Sequence, residues 1–263
     1  MLKKYVDMGL NFVRRHSLWN FLVSCEKWIA FAGLICLYGV VPLILTALAI
    51  FMKDAFVLLY IPVGIFAGYI AEKMLDYVRP TIERAPTKIV NSGVLDILSV
   101  IIAFGAVGLF FGSFVVAIDE GSFIPFIACQ LGAVACVYFF YMLLSAKQSL
   151  NIDICETASP AQSLLGIISL LVKAAYRMTP VLFGLLIVLS TFMFLSVFFE
   201  NISWLMGVWF NEAIAGVMYG AFLPLIAYFG FLFYYFIVDF FVAFFRIADN
   251  SEKCSDKEPK SKK

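Results

Sequence analysis

Apolar residues run through this chain in six long blocks separated by short polar stretches: Trp28 to Met52, Ala55 to Met74, Val94 to Ile118, Ser122 to Leu144, Thr179 to Phe199 and Ala213 to Phe245. Each is of the order of 20 residues, the length that crosses ~30 Å of hydrocarbon at ~1.5 Å rise per residue. None alternates polar with apolar positions, and an open strand edge cannot survive in lipid, so the blocks predict helices. The expected fold is all-α: a polytopic membrane protein of six transmembrane helices arranged as three hairpins, with amphipathic interfacial helices on the cytoplasmic side. Residues 1–249 form one transmembrane domain with its spans inside 28–245, and 250–263 read as a disordered, Lys-rich tail.

Two stretches outside the blocks carry a helical period. In residues 1–24, Leu2, Tyr5, Val6, Phe12 and Val13 fall on one face, and Lys3, Lys4, Asp7, Asn11, Arg14 and Arg15 on the other. In residues 160–178, Ser159 is placed to cap, Pro160 suits the first helical position and Gln162 completes a capping box. Leu164, Leu165, Ile168, Leu171 and Val172 then make an apolar stripe, and Lys173 and Arg177 stand one turn apart. Both patterns predict helices lying in the headgroups. Thr179-Pro180 predicts a kink or break before the fifth block, and Val78 to Ser92, with Pro80 and Pro86, reads as a loop. The motifs Tyr60-Ile61-Pro62, Phe123-Ile124-Pro125 and Phe222-Leu223-Pro224 fit a degenerate triplication of one hairpin unit, or the likeness that any two apolar sequences share.

Composition agrees with the pattern. The chain is 63% apolar and 14% charged with mean hydropathy +0.97, against about 45–50% and about 25% for a soluble domain. Charge adds an orientation. Of the 19 Lys and Arg residues, only Lys53 falls in a loop of the opposite side; Lys3, Lys73, Arg84, Lys147, Lys173, Arg246 and the rest share one side. Loops rich in Lys and Arg stay in the cytoplasm, so both termini are expected there, in a bacterial cytoplasmic membrane with an anionic inner leaflet. The start of the chain does not read as a cleavable signal, because charge interrupts its apolar positions as far as Trp28. All six cysteines fall within the blocks or on the basic side, so no disulfide is expected, and Cys129 and Cys136 read as small packing residues.

The chemistry in the sequence is sparse. His16 is the only histidine, and HExxH, GxSxG, CxxC and a phosphate-binding glycine loop are all missing. No enzyme activity, cofactor, metal or nucleic-acid partner is therefore expected. Carboxylates inside the spans are the first candidates, since charge in hydrocarbon is costly and tends to face a bundle interior. Asp239, Asp76 and Asp96 are the candidate ion or proton site; the other reading is that these acids, with Glu26, pair with Lys73, Arg79, Arg177 or Arg246. Gly64 and Gly68, Gly108 and Gly112, and Gly216 and Gly220 are candidate helix-packing positions, each pair on one helix face. Pro62, Pro125 and Pro224 are candidate hinges. Twelve of the 24 residues from Phe222 to Phe245 are Phe or Tyr, and Phe240, Phe241, Phe244 and Phe245 are expected to meet lipid, another subunit, a pigment or a quinone. The first functional expectation is a non-enzymatic subunit or scaffold of a membrane assembly, partnered by other membrane proteins or by itself. The alternative is a small channel or a proton- or cation-coupled transporter built from three hairpin repeats.

Overall fold

The computed structural model describes residues 19–85, 87–89, 93–120, 123–154, 160–199 and 203–255. Most of the expected interfacial helix at 1–24 and the end of the tail lie outside them. The described chain is almost entirely helical, and six helices are long and apolar enough to cross a membrane: Phe21–Phe51, Ala55–Glu83, Gly93–Ile118, Phe123–Leu144, Leu164–Ser196 and Phe210–Phe241. This is a multi-pass membrane protein.

Local chemistry explains where the helices bend and stop. The first span changes from α-helix (Trp19–Ile35) to one π-helical turn (Cys36–Val40) and back (Val41–Met52). Pro42 has no amide to donate and its ring crowds the preceding turn. The wider turn relieves this, with the Val41 amide donating to the Cys36 carbonyl. The span ends where Lys53 takes a left-handed conformation at φ 55°, and the Asp54 side chain accepts from the Phe56 amide at 2.9 Å to start the next helix.

Prolines expected to act as hinges mostly begin helices instead. Pro62 and Pro125 each occupy the third position of an α-helix (Tyr60–Glu83, Phe123–Leu144), in the first turn, where amides have no intrahelical partner to lose. Pro224 and Pro180 lie inside continuous helices, Ser203–Ser255 and Pro160–Phe199. The break expected at Thr179-Pro180 is therefore absent, and the fifth helix runs unbroken from the stretch read as interfacial. The second helix likewise continues through Pro80 to Glu83, further than the loop reading allowed.

Contacts fix the direction of each helix. Glu26 meets Arg177 and Gly33 meets Gly184, seven residues on in both helices, so the first and fifth spans run parallel. Ser169 reaches Tyr234, and Ile187 lies against Gly220, so the fifth and sixth run antiparallel. The second and sixth run parallel, with Tyr77 against Tyr228 and Thr87, just beyond the second span, against Tyr235. In the third and fourth, the Gln130 amide donates to Ser113 Oγ at 2.7 Å and Phe114 packs on Phe126, an antiparallel pair. The fifth span is the centre: 56% of its apolar stretch is buried, against 17–33% in the others.

At one end of the bundle the connectors after the second and fourth spans form a two-stranded parallel sheet. β1 (Thr87–Ile89) pairs with β2 (Ile152–Ile154) in the register Thr87 to Ile152. That end also gathers the start of the first span and the ends of the second, fourth and sixth.

Candidate functional site

The charged residues that matter most lie at the same end as the sheet. Arg177 of the fifth helix is buried (3% exposed) and forms two hydrogen bonds to Glu26 of the first, Nη1 to Oε1 at 2.8 Å and Nη2 to Oε2 at 2.6 Å. Tyr138 of the fourth span donates its hydroxyl to the same Oε2 at 2.8 Å. Three helices thus converge on one carboxylate. The fork geometry satisfies both carboxylate oxygens, which a buried ion pair needs if Coulomb attraction is to offset lost hydration. Two turns further along, the helices approach backbone to backbone: a Cβ on Gly33 would sit 2.7 Å from Gly184 Cα, and one on Gly184 would strike the Ile29 carbonyl. The glycines allow the separation at which the short Glu26 side chain reaches Arg177.

One turn before Arg177, Lys173 is fully buried. Its Nζ donates to the carbonyls of Leu150 at 2.9 Å and Asn151 at 3.2 Å. Asn151, left-handed at φ 50°, accepts from the Thr87 amide with the same carbonyl and donates its side-chain amide to the Glu83 carbonyl at 2.8 Å. Lys173 therefore ties the β1–β2 connectors to the central helix. This inverts the interfacial reading of residues 160–178: Lys173 and Arg177 point into the protein, whereas Leu164, Ile168 and Leu171 are exposed. The buried acceptors come from residues far away in sequence, and they outweigh the pull of water on the two cations.

Between the first and second spans, on the outer side of the ion pair, lies a cavity of about 360 Å³. Its first wall is one face of the first span, with Glu26, Lys27, Phe31 and Leu34; its second is Glu72, Leu75, Asp76 and Arg79; Arg177 and Pro180 form the floor. The two spans close together beyond it, where Gly68 lies against Leu37 and Tyr38 and the Tyr38 hydroxyl donates to Glu72 Oε2 at 3.4 Å. The cavity is thus a wedge, shut at its apex and open at the charged end.

The sequence candidates are divided among different places. Asp76 lines the wedge. Asp239 is exposed on the sixth span between Phe236 and Phe240, and Asp96 is half-buried in the first turn of the third helix, where a carboxylate complements the helix dipole. Of the three, Asp76 alone lines the wedge. Glu26, which borders the first apolar block, pairs with Arg177. Of the glycines, Gly68, Gly216 and Gly220 are true close approaches, the last two against Ser190 and Ile187 of the fifth span. Gly64 borders open space, and a Cβ at Gly108 or Gly112 would meet nothing within 4 Å. Phe240 and Phe241 are exposed; the side chains of Phe244 and Phe245 lie outside the described ones. Sequence reading missed Gly33, Gly184, Tyr138 and the burial of Lys173. The first two lay in plain view as seven-residue echoes of Glu26 and Arg177, a signal visible only once the two helices are known to be parallel. Among the described residues, no three His, Cys, Asp or Glu side chains converge as a metal-ligand set. No family model, curated protein or solved structure matches the chain.

Proposed function

We propose that this protein is a non-enzymatic subunit or scaffold of a membrane assembly, seated in a bacterial cytoplasmic membrane with both termini in the cytoplasm. The observation that carries this is the outward face of the third span. Ile97, Ile101, Phe104, Gly108, Phe111, Val115 and Ile118 recur at alternating steps of four and three residues, and all are exposed. Gly105, Gly108 and Gly112 lie within or beside that seam with no atom within 4 Å of a Cβ built on any of them. Lipid gives helices little hydrophobic reason to associate, so small residues set among large ones matter where another backbone comes close. Inside this chain, that role falls to Gly33, Gly68, Gly184, Gly216 and Gly220; the third span's glycines have no such neighbour. Phe229, Phe233, Phe236 and Phe240 make a second outward stripe on the sixth span.

The arrangement as three hairpin units belongs to the same reading, supported by β1 and β2 following the second and fourth spans at equivalent places. Ion transport through Asp239 and Asp76 draws less support, because only Asp76 borders the wedge.

Native mass spectrometry of the full chain extracted in mild detergent tests the proposal. The expected spectrum holds a complex with another membrane protein or a second copy, lost in Gly108→Leu while the thermal unfolding of the protein itself is unchanged. A lone monomer, or a complex indifferent to Gly108→Leu and Gly112→Leu alike, would contradict it.

A further inference from the structure

The wedge between the first and second spans has walls of two kinds. Glu26 and Arg177 neutralise one another at its back, and Arg79 is joined to Glu83 at 3.0 Å on the exposed flank. What remains toward the opening is Lys27, Arg79 and the carboxylate of Asp76, all exposed, with Glu72 deeper, at the apex beside Tyr38. A simple anion seated here would meet Asp76, and a simple cation would meet Lys27 and Arg79. A dipolar head satisfies both signs at once. Asp76 and Arg79 are three residues apart, about 4.5 Å along the helix, a spacing that a two-carbon link between an ammonium and a phosphate can bridge. Carboxylates accept hydrogen bonds, which a primary ammonium donates and a quaternary one does not.

The opening faces sideways as well as toward the charged end. Phe31 lines it and is 53% exposed, and Trp28, 70% exposed, packs edge-on to Phe31 with ring centroids 6.1 Å apart. An aromatic pair at this level marks the membrane interface and gives acyl chains an apolar flank beside the charged rows. We infer that the wedge is a binding site for one ethanolamine phospholipid, its phosphate held by Lys27 and Arg79 and its ammonium by Asp76, with its chains running along Phe31 into the bilayer.

Native mass spectrometry of the delipidated full chain, titrated with dioleoyl phosphatidylethanolamine, phosphatidylcholine and phosphatidylglycerol in turn, tests this. Charge-assisted hydrogen bonds of the kind described support a preference of about tenfold for the ethanolamine lipid at the first site filled. Asp76→Asn is expected to erase that preference. Ala30→Trp, which fills the wedge from its wall without altering charge, is expected to remove the site for all three lipids. Equal retention of the three lipids by the wild-type chain, or a preference that survives both variants, would overturn the assignment. Displacement of the lipid by free phosphoethanolamine would overturn it too, by making the ligand a soluble zwitterion.

Discussion

Glu26 carries more of this fold than its place in the sequence suggests. It is a single carboxylate at the edge of an apolar block, held by a guanidinium 151 residues away and a phenol 112 residues away. Removing one partner of a buried ion pair leaves an uncompensated charge, at a cost of about 3–5 kcal/mol, whereas replacing both with apolar groups is often close to neutral. Glu26→Leu and Arg177→Met alone should therefore each lower stability by about that amount, and the double variant should recover most of it. Equilibrium unfolding in detergent, followed by helicity, measures this; additive losses would mean that the pair is not coupled. At this scale sequence legibility was uneven. Glu26 and Arg177 were visible as charges bordering spans, and pairing was one of two readings. Burial of Lys173 was not, because its acceptors are backbone carbonyls of Leu150 and Asn151, which no residue type announces.

Among the elements, the six spans were legible because bilayer thickness sets their length. Boundaries failed where polar residues enter a helix yet are buried by other helices. Lys173, Arg177 and Thr179-Pro180 suggested a separate helix ending before the fifth span, but one helix, Pro160–Phe199, carries them all. Glycines separate into two kinds that spacing alone could not distinguish. A methyl on Gly184 meets the Ile29 backbone, while one on Gly64, which is also buried, enters open space. Gly184→Ala is thus expected to cost about 1–3 kcal/mol through forced separation of the first and fifth helices, and Gly64→Ala to cost nothing or to stabilise slightly. Paired thermal melts of the two variants would show it, and equal shifts would mean that Gly184 does not hold the first and fifth helices at contact.

On the scale of the whole molecule, the asymmetry is between a charged end, organised by ion pair, sheet and wedge, and membrane-facing sides left to apolar residues. The lopsided distribution of Lys and Arg anticipated that one end would carry the charge. It did not anticipate that part of this charge is internal structure, or that the third span would present glycines outward. The account turns on that outward face being covered by another protein. Photo-crosslinking in intact membranes tests it most directly, with a photoreactive residue at Phe104 or Phe111 on the seam and at Phe66 on the exposed side of the second span as reference. The account predicts one discrete protein adduct from Phe104 and Phe111, abolished by Gly108→Leu, and only lipid adducts from Phe66. Lipid adducts alone from all three positions would contradict it.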